Sequence, residues 1–120
     1  MGADPVLPDP RYPKVRRWPR YKLDVPIRLI AHKGDRIAIV QGRGNELNEG
    51  GMAVFAGMEL RIGENVSVEF TPPYSGQPIR VRGVIDNRQG YTYGIEFIVE
   101  TAEDQRHVSQ IRAVLGAMKH

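Results

Sequence analysis

Cysteine is missing from all 120 positions of the chain. Its absence removes disulfide staples, thiolate metal sites and thiol nucleophiles together, and it is compatible with a reducing compartment. Long hydrophobic runs are missing as well. No apolar stretch approaches the roughly 20 residues that span a bilayer, and the N-terminus lacks the basic-then-apolar order of a secretory signal. The expectation is a soluble, cytoplasmic protein with no membrane insertion. Histidine is scarce: His32, His107 and His120 are scattered at no spacing that would build a metal site or a nucleophile–base pair. No pair of carboxylates stands out for acid–base work. The Gly42-Arg43-Gly44 run looks like a phosphate loop but lacks the Lys and Ser or Thr of a P-loop and opens no helix. Neither an enzyme nor a metal or cofactor is expected.

What is present is ordinary in amount and uneven in placement. Hydrophobic residues at 41% and charged residues at 26% are close to globular averages, and the length suits one domain. Seventeen Lys and Arg face 14 Asp and Glu, for a net charge of +3. Six of the basic residues, Arg11, Lys14, Arg16, Arg17, Arg20 and Lys22, fall within residues 11–22 with no acid among them, so the rest of the chain is net acidic. A compact basic segment beside such a body is either a solvated linker or the place where one anionic ligand is met. It is not a surface built to coat a nucleic acid polymer.

The N-terminal stretch 1–14 carries Pro5, Pro8, Pro10 and Pro13 and reads as a flexible tail, with the folded domain spanning 15–120. From Tyr21 the apolar residues alternate, through Leu23, Val25, Ile27 and Leu29, which predicts a strand with one buried face. Pro26 cannot donate to a ladder and belongs at an edge or bulge. A turn at His32–Asp35 leads to a second strand over Arg36–Gly42. Gly50 and Gly51 mark a sharp backbone event before Met52–Phe55. Val66, Val68 and Phe70 form another strand. Ile79, Val81 and Ile85 continue the alternation, Asp86–Gly90 reads as a polar turn, and Tyr91, Tyr93, Ile95, Phe97 and Val99 return as the second arm of a hairpin. The period then changes: Val108, Ile111, Val114, Leu115 and Met118 have helical spacing, and Thr101 with Asp104 resembles a capping box. About six short strands and one terminal helix predict a mostly β fold, a six-stranded antiparallel barrel with a C-terminal α-helix.

Two segments carry chemistry. Arg16-Arg17-Trp18-Pro19-Arg20 holds Arg16 and Arg20 at RxxxR spacing just before the first strand. Guanidinium groups are planar, permanently charged and bidentate, so they grip a phosphate or a guanine edge and stack on a base. The second segment, Glu46-Leu47-Asn48-Glu49-Gly50-Gly51, falls between strands. Paired glycines permit positive φ and a close ligand approach, while Asn48 supplies donors and an acceptor. An ordinary turn is the other reading of these residues.

In this order the two segments resemble the PilZ domain family, small six-stranded barrels that serve as receptors for the bacterial second messenger cyclic di-GMP. The resemblance runs from about Arg16 to the terminal helix. Arg16 and Arg20 match the family's RxxxR motif, with Arg17 as a basic neighbour. The second family motif is Asp or Asn, any residue, Ser, two residues, Gly. It aligns with Glu46 to Gly51, with Glu46 in place of Asp or Asn and Asn48 in place of Ser. Gly51-Met52-Ala53-Val54 and Tyr93-Gly94-Ile95-Glu96-Phe97 are also similar to the family. The resemblance implies a cytoplasmic bacterial signalling receptor that binds cyclic di-GMP through Arg16, Arg17, Arg20, Glu46, Asn48, Gly50 and Gly51 and acts on a downstream effector protein. The first alternative is a divergent barrel of the same fold that works as a protein-interaction adaptor without the nucleotide. A barrel binding RNA or single-stranded DNA ranks below it, because Tyr91, Tyr93 and Phe97 share the apolar face instead of forming a stacking platform. An enzyme ranks last.

Overall fold

The computed structural model describes residues 20–73 and 76–118. Six antiparallel strands, β1 (Tyr21–Lys33), β2 (Arg36–Leu47), β3 (Gly51–Ala56), β4 (Asn65–Phe70), β5 (Ile79–Gln89) and β6 (Thr92–Phe97), close into a barrel in the order β1-β2-β3-β6-β5-β4. One helix, α1 (Ala102–Met118), follows. The expected architecture is therefore the observed one. The tail assigned to 1–14 and the arginines Arg16 and Arg17 lie outside the described residues.

Alternation builds the core, because successive side chains on a strand point to opposite faces. On β1, Ile27, Leu29 and Ala31 are buried while Lys22, Asp24 and Arg28 are exposed. Valines and isoleucines of β4 and β5 and Tyr93, Ile95 and Phe97 of β6 meet them inside. β1 pairs with β4 only over Arg28–Ala31, so Pro26 sits on a stretch with a strand neighbour on one side. Proline has no N–H to lose on the open side.

Each mouth of the barrel is stoppered differently. At one mouth lie the tips of the β1–β2 and β5–β6 hairpins and the loop 57–64, from which Leu60 inserts with no exposed surface. The buried Tyr93 hydroxyl donates to the Met58 carbonyl at 2.7 Å and accepts the Leu60 N–H at 3.0 Å, fixing that loop. At the other mouth α1 lays Val108, Ile111, Val114 and Leu115 over the core. The start of β1, the β2–β3 turn and the end of β6 surround the helix there.

Several local expectations change. The polar turn placed at Asp86–Gly90 is shorter, since Asn87, Arg88 and Gln89 still pair with β6 beyond a register shift, and the chain turns at Gly90–Tyr91. Alternation alone places Tyr91 and Val99 on the buried face of β6, yet both lie past the strand's ends and are 48% exposed. The second strand continues to Leu47, so Glu46 stands on a strand and the turn shrinks to Asn48–Gly50. Gly42-Arg43-Gly44 is mid-strand in β2, paired on both sides with β1 and β3.

Removing the Tyr93 hydroxyl tests the first stopper. Tyr93→Phe leaves the Leu60 N–H buried without its acceptor, and chemical denaturation should show a loss of about 1–3 kcal/mol. An unchanged midpoint would mean that the loop is held by packing alone.

Candidate functional site

The candidate residues gather at the helix-capped mouth. Against β3, β2 carries one extra residue there, Asn45, whereas against β1 the extra residue is on β1, where Leu23 and Asp24 stand opposite Asn45. A one-residue bulge exchanges the faces of everything beyond it. Gly44 is buried, Asn45 is exposed, and Leu47 regains the core with no exposed surface. Glu46 is consequently turned outward, opposite Lys22 of β1 and Ala53 of β3. Its carboxylate Oε1 lies 3.8 Å from Nη1 of Arg20, the residue that leads into β1. Both side chains keep substantial solvent contact, which makes this a weak surface ion pair that a competing anion or base edge can open.

The turn after Glu46 is held by its own backbone. Asn48 Oδ1 accepts the Gly50 N–H at 2.7 Å, and the Asn48 N–H donates to the Gly51 carbonyl at 2.9 Å. The Gly50 carbonyl accepts the Phe97 N–H at 2.9 Å, tying the turn to the end of β6. Positive φ is not what the glycine pair supplies. Among the described residues the left-handed glycines are Gly34, Gly63, Gly76 and Gly90, and Gly51 is a buried strand residue. A Cβ on Gly51 would stand 2.2 Å from the Ile95 carbonyl oxygen, so glycine is required here for close packing of β3 on β6.

Two further contacts anchor the helix beside this turn, and neither is visible in the sequence. Glu49 Oε1 lies 3.5 Å from Nε of Arg112 on α1. Arg82 of β5 forks onto Asp104, Nε to Oδ1 at 2.9 Å and Nη2 to Oδ2 at 2.7 Å. Asp104 also accepts the Thr101 and Glu100 N–H groups, and the Asp104 N–H donates to the Thr101 hydroxyl. The expected capping box is therefore present, in a buried form. The Arg82 fork outweighs the cost of burial and, with the two N–H groups, holds the Asp104 carboxyl well below the usual carboxylate range.

Shallow grooves flank the site. One of about 280 Å³ is lined by Val99 and the helix residues Gln105, Val108, Ser109 and Arg112. Another of about 360 Å³ runs along Tyr21–Val25 to Pro73 and Met118. Both are at or near the low end of the roughly 300–1,000 Å³ typical of small-molecule pockets. A ligand here would rest on a surface and depend on charged groups to hold it. Among the described residues no cluster of three His, Asp or Glu could hold a metal, and no helix is long and apolar enough to cross a membrane.

Of the residues singled out in the sequence, the structure thus brings Arg20, Glu46, Asn48, Gly50 and Gly51 to one mouth. The sequence is matched over residues 14–113 by the family model for the PilZ domain. The fold is similar to the PilZ domain of CeSA from a cellulose-synthesizing bacterium, at 20% identity and a TM-score of 0.65, covering 85% of this chain and 99% of that one. It is also similar to the PilZ domain of YcgR from Escherichia coli, solved with c-di-GMP, at 14% identity and a TM-score of 0.60, covering 87% and 94%. The Bacillus subtilis inhibitor of motility MotI/DgrA matches at 15% identity and a TM-score of 0.54, covering 84% of this chain and 52% of its own. No curated protein matches the chain.

Asp104→Asn should lower the melting temperature by several degrees at neutral pH. Because the folded carboxyl titrates below its unfolded value of about 3.8, its contribution is complete above that value and is lost as pH falls through the folded value. The difference in melting temperature between the parent and Asp104→Asn should therefore shrink from pH 5 toward pH 2, and a constant difference would refute the linkage. Gly51→Ala should cost about 1–3 kcal/mol through the clash with Ile95, read by denaturant titration.

Proposed function

The chain belongs to the PilZ domain family, a family of cyclic di-GMP receptors, and from that premise we propose that it binds cyclic di-GMP as a non-catalytic signalling receptor of the bacterial cytoplasm. The observation that carries the reading is the meeting of the two motif segments: Arg20 of RxxxR stands beside Glu46 of the second motif, with the Asn48–Gly51 turn next along the same mouth. In this reading Arg16, Arg17 and Arg20 pair with the phosphates and with guanine, and Glu46 accepts guanine N–H groups. The Nδ2 donors of Asn48, which have no partner among the described residues, serve phosphate or base, while Gly50 in the turn and Gly51 at the start of β3 offer main chain that a ligand can approach closely. Charge-assisted bonds of this kind are strong enough to offset the ordering of an arm. The ligand would open the Arg20–Glu46 pair and take both partners. The bound form would then present a changed surface to an effector protein.

One observation favours a second reading, an adaptor of the same fold that does not take the nucleotide. Asn48 Oδ1 is already committed to the turn, and Glu46 is already engaged by Arg20.

Isothermal titration with cyclic di-GMP, with GTP and cyclic AMP as controls, separates the two. Selective binding is expected, weakened about tenfold or more in Arg16→Ala and in Arg20→Ala. The unliganded melting temperature should barely move in Arg20→Ala, because its ion pair is exposed. No heat at high micromolar ligand would favour the adaptor, and a large loss of stability in Arg20→Ala would make that arginine structural.

A further inference from the structure

The β1–β2 hairpin outgrows the barrel. β2 pairs with β1 along its length but with β3 only over Gly42–Leu47, so Arg36–Gln41 has no strand on its other side among the described residues. The exposed half of β1 carries the usual safeguards against strand addition, with Pro26, Lys22 and Asp24 along it. The exposed half of β2 carries none: it reads Arg-Ile-Ala-Ile-Val-Gln, without proline and with its one charge at the end. Ile37 and Ile39 are 62% and 56% exposed on the outer face.

Hydrogen-bond parity says which groups this edge offers. The two-residue turn Gly34–Asp35 closes on the pair Lys33–Arg36, and Gly34 has φ +67°, as turns of this length require. The closing pair of such a hairpin is hydrogen-bonded, and bonding alternates from there. Ala38 therefore spends its N–H and C=O on Ala31, while Ile37 and Ile39 turn theirs to the open side.

We propose that two copies of this chain pair edge to edge through Arg36–Gln41, antiparallel about a two-fold axis at Ala38. Facing residues share a face in an antiparallel pair, so the axis must fall on a residue. With the axis at Ala38, Ile37 faces Ile39 of the other copy twice over, exchanging four main-chain hydrogen bonds and joining four isoleucines on one face. Arg36 faces Val40 and Asp35 faces the Gln41 amide, so no like charges oppose each other. An axis at Ile39 would set Ile37 against Gln41, and one at Ile37 would set Asp35 against Ile39. A second copy is the occupant that brings a matching edge of the same length and pattern. The edge lies roughly 30 Å along β2 from the Asn48–Gly51 turn, so pairing leaves both of those turns open.

An interface this short falls below the roughly 1,200 Å² of stable complexes, so the dimer should form only at high micromolar concentration. Sedimentation equilibrium should show the mass rising with concentration from one chain toward two. Ile37→Lys with Ile39→Lys should weaken association about tenfold or more, with circular dichroism and melting unchanged because both side chains are exposed. The chain has no cysteine of its own. Ala38→Cys sits at the non-hydrogen-bonded centre, where facing Cβ atoms are close, and should cross-link on mild oxidation, whereas Gln41→Cys, roughly 20 Å from its copy, should not. A single-chain mass at every concentration, a dimer that survives the double lysine variant, or a dimer in which Ala38→Cys does not cross-link would overturn the proposal.

Discussion

The fold's lid hangs on one carboxylate. Asp104 is the one buried charged side chain among the described residues, and its two oxygens accept two main-chain N–H groups and both arms of the Arg82 fork. A buried carboxylate is costly unless every lone pair is used, and here the same four donors that satisfy it also fix the helix start to β5. From that fixed start α1 runs across the barrel mouth and sets Ile111 and Leu115 over the core. Its orientation is set by this anchor together with the buried stripe of Val108, Ile111, Val114 and Leu115, and the exposed Glu49–Arg112 contact at the rim adds little.

The rim inherits its chemistry from the way the barrel closes. A small barrel needs tilted, strongly twisted strands, and bulges concentrate twist where it is needed. The bulge at Asn45 does this for β2 and, as a consequence, presents Glu46 to solvent beside Arg20. Barrel geometry and site geometry are thus one feature seen twice. The preference for glycine at position 51 also comes from the closing of the sheet, since a Cβ there would run into the Ile95 carbonyl. At this motif position glycine meets a packing requirement of the sheet.

Closure also leaves remainders. β1 and β2, of 13 and 12 residues, are about twice the length of β3 and β4, of 6 each, so each long strand has a half with one neighbour. On β1 that half is protected by proline and charge, and it borders the proposed ligand site. On β2 it is apolar and unprotected, at the opposite end of the molecule. The two halves differ in sequence because they face different fates: one must not acquire a strand, and the other presents a surface for one.

Much of this was legible without coordinates. Alternation from Tyr21 to Leu29 and from Tyr93 to Phe97, the helical spacing from Val108 to Met118, and the Thr101–Asp104 box fixed element types and their order, because side-chain direction within one element is a local property. The RxxxR and Glu46–Gly51 segments pointed to the family for the same reason, as linear patterns. The alternation misleads at Tyr91 and Val99, which lie outside the paired stretch of β6, and the positive φ expected of the glycine pair is absent, with Gly51 instead packed against the Ile95 carbonyl. Tertiary structure alone decided the bulge that turns Glu46 outward, the partners of Asp104 and Glu49, and the open edge at Ile37 and Ile39. Each depends on register and on which strand runs out first, and those are settled between segments distant in sequence, where no local period carries the information.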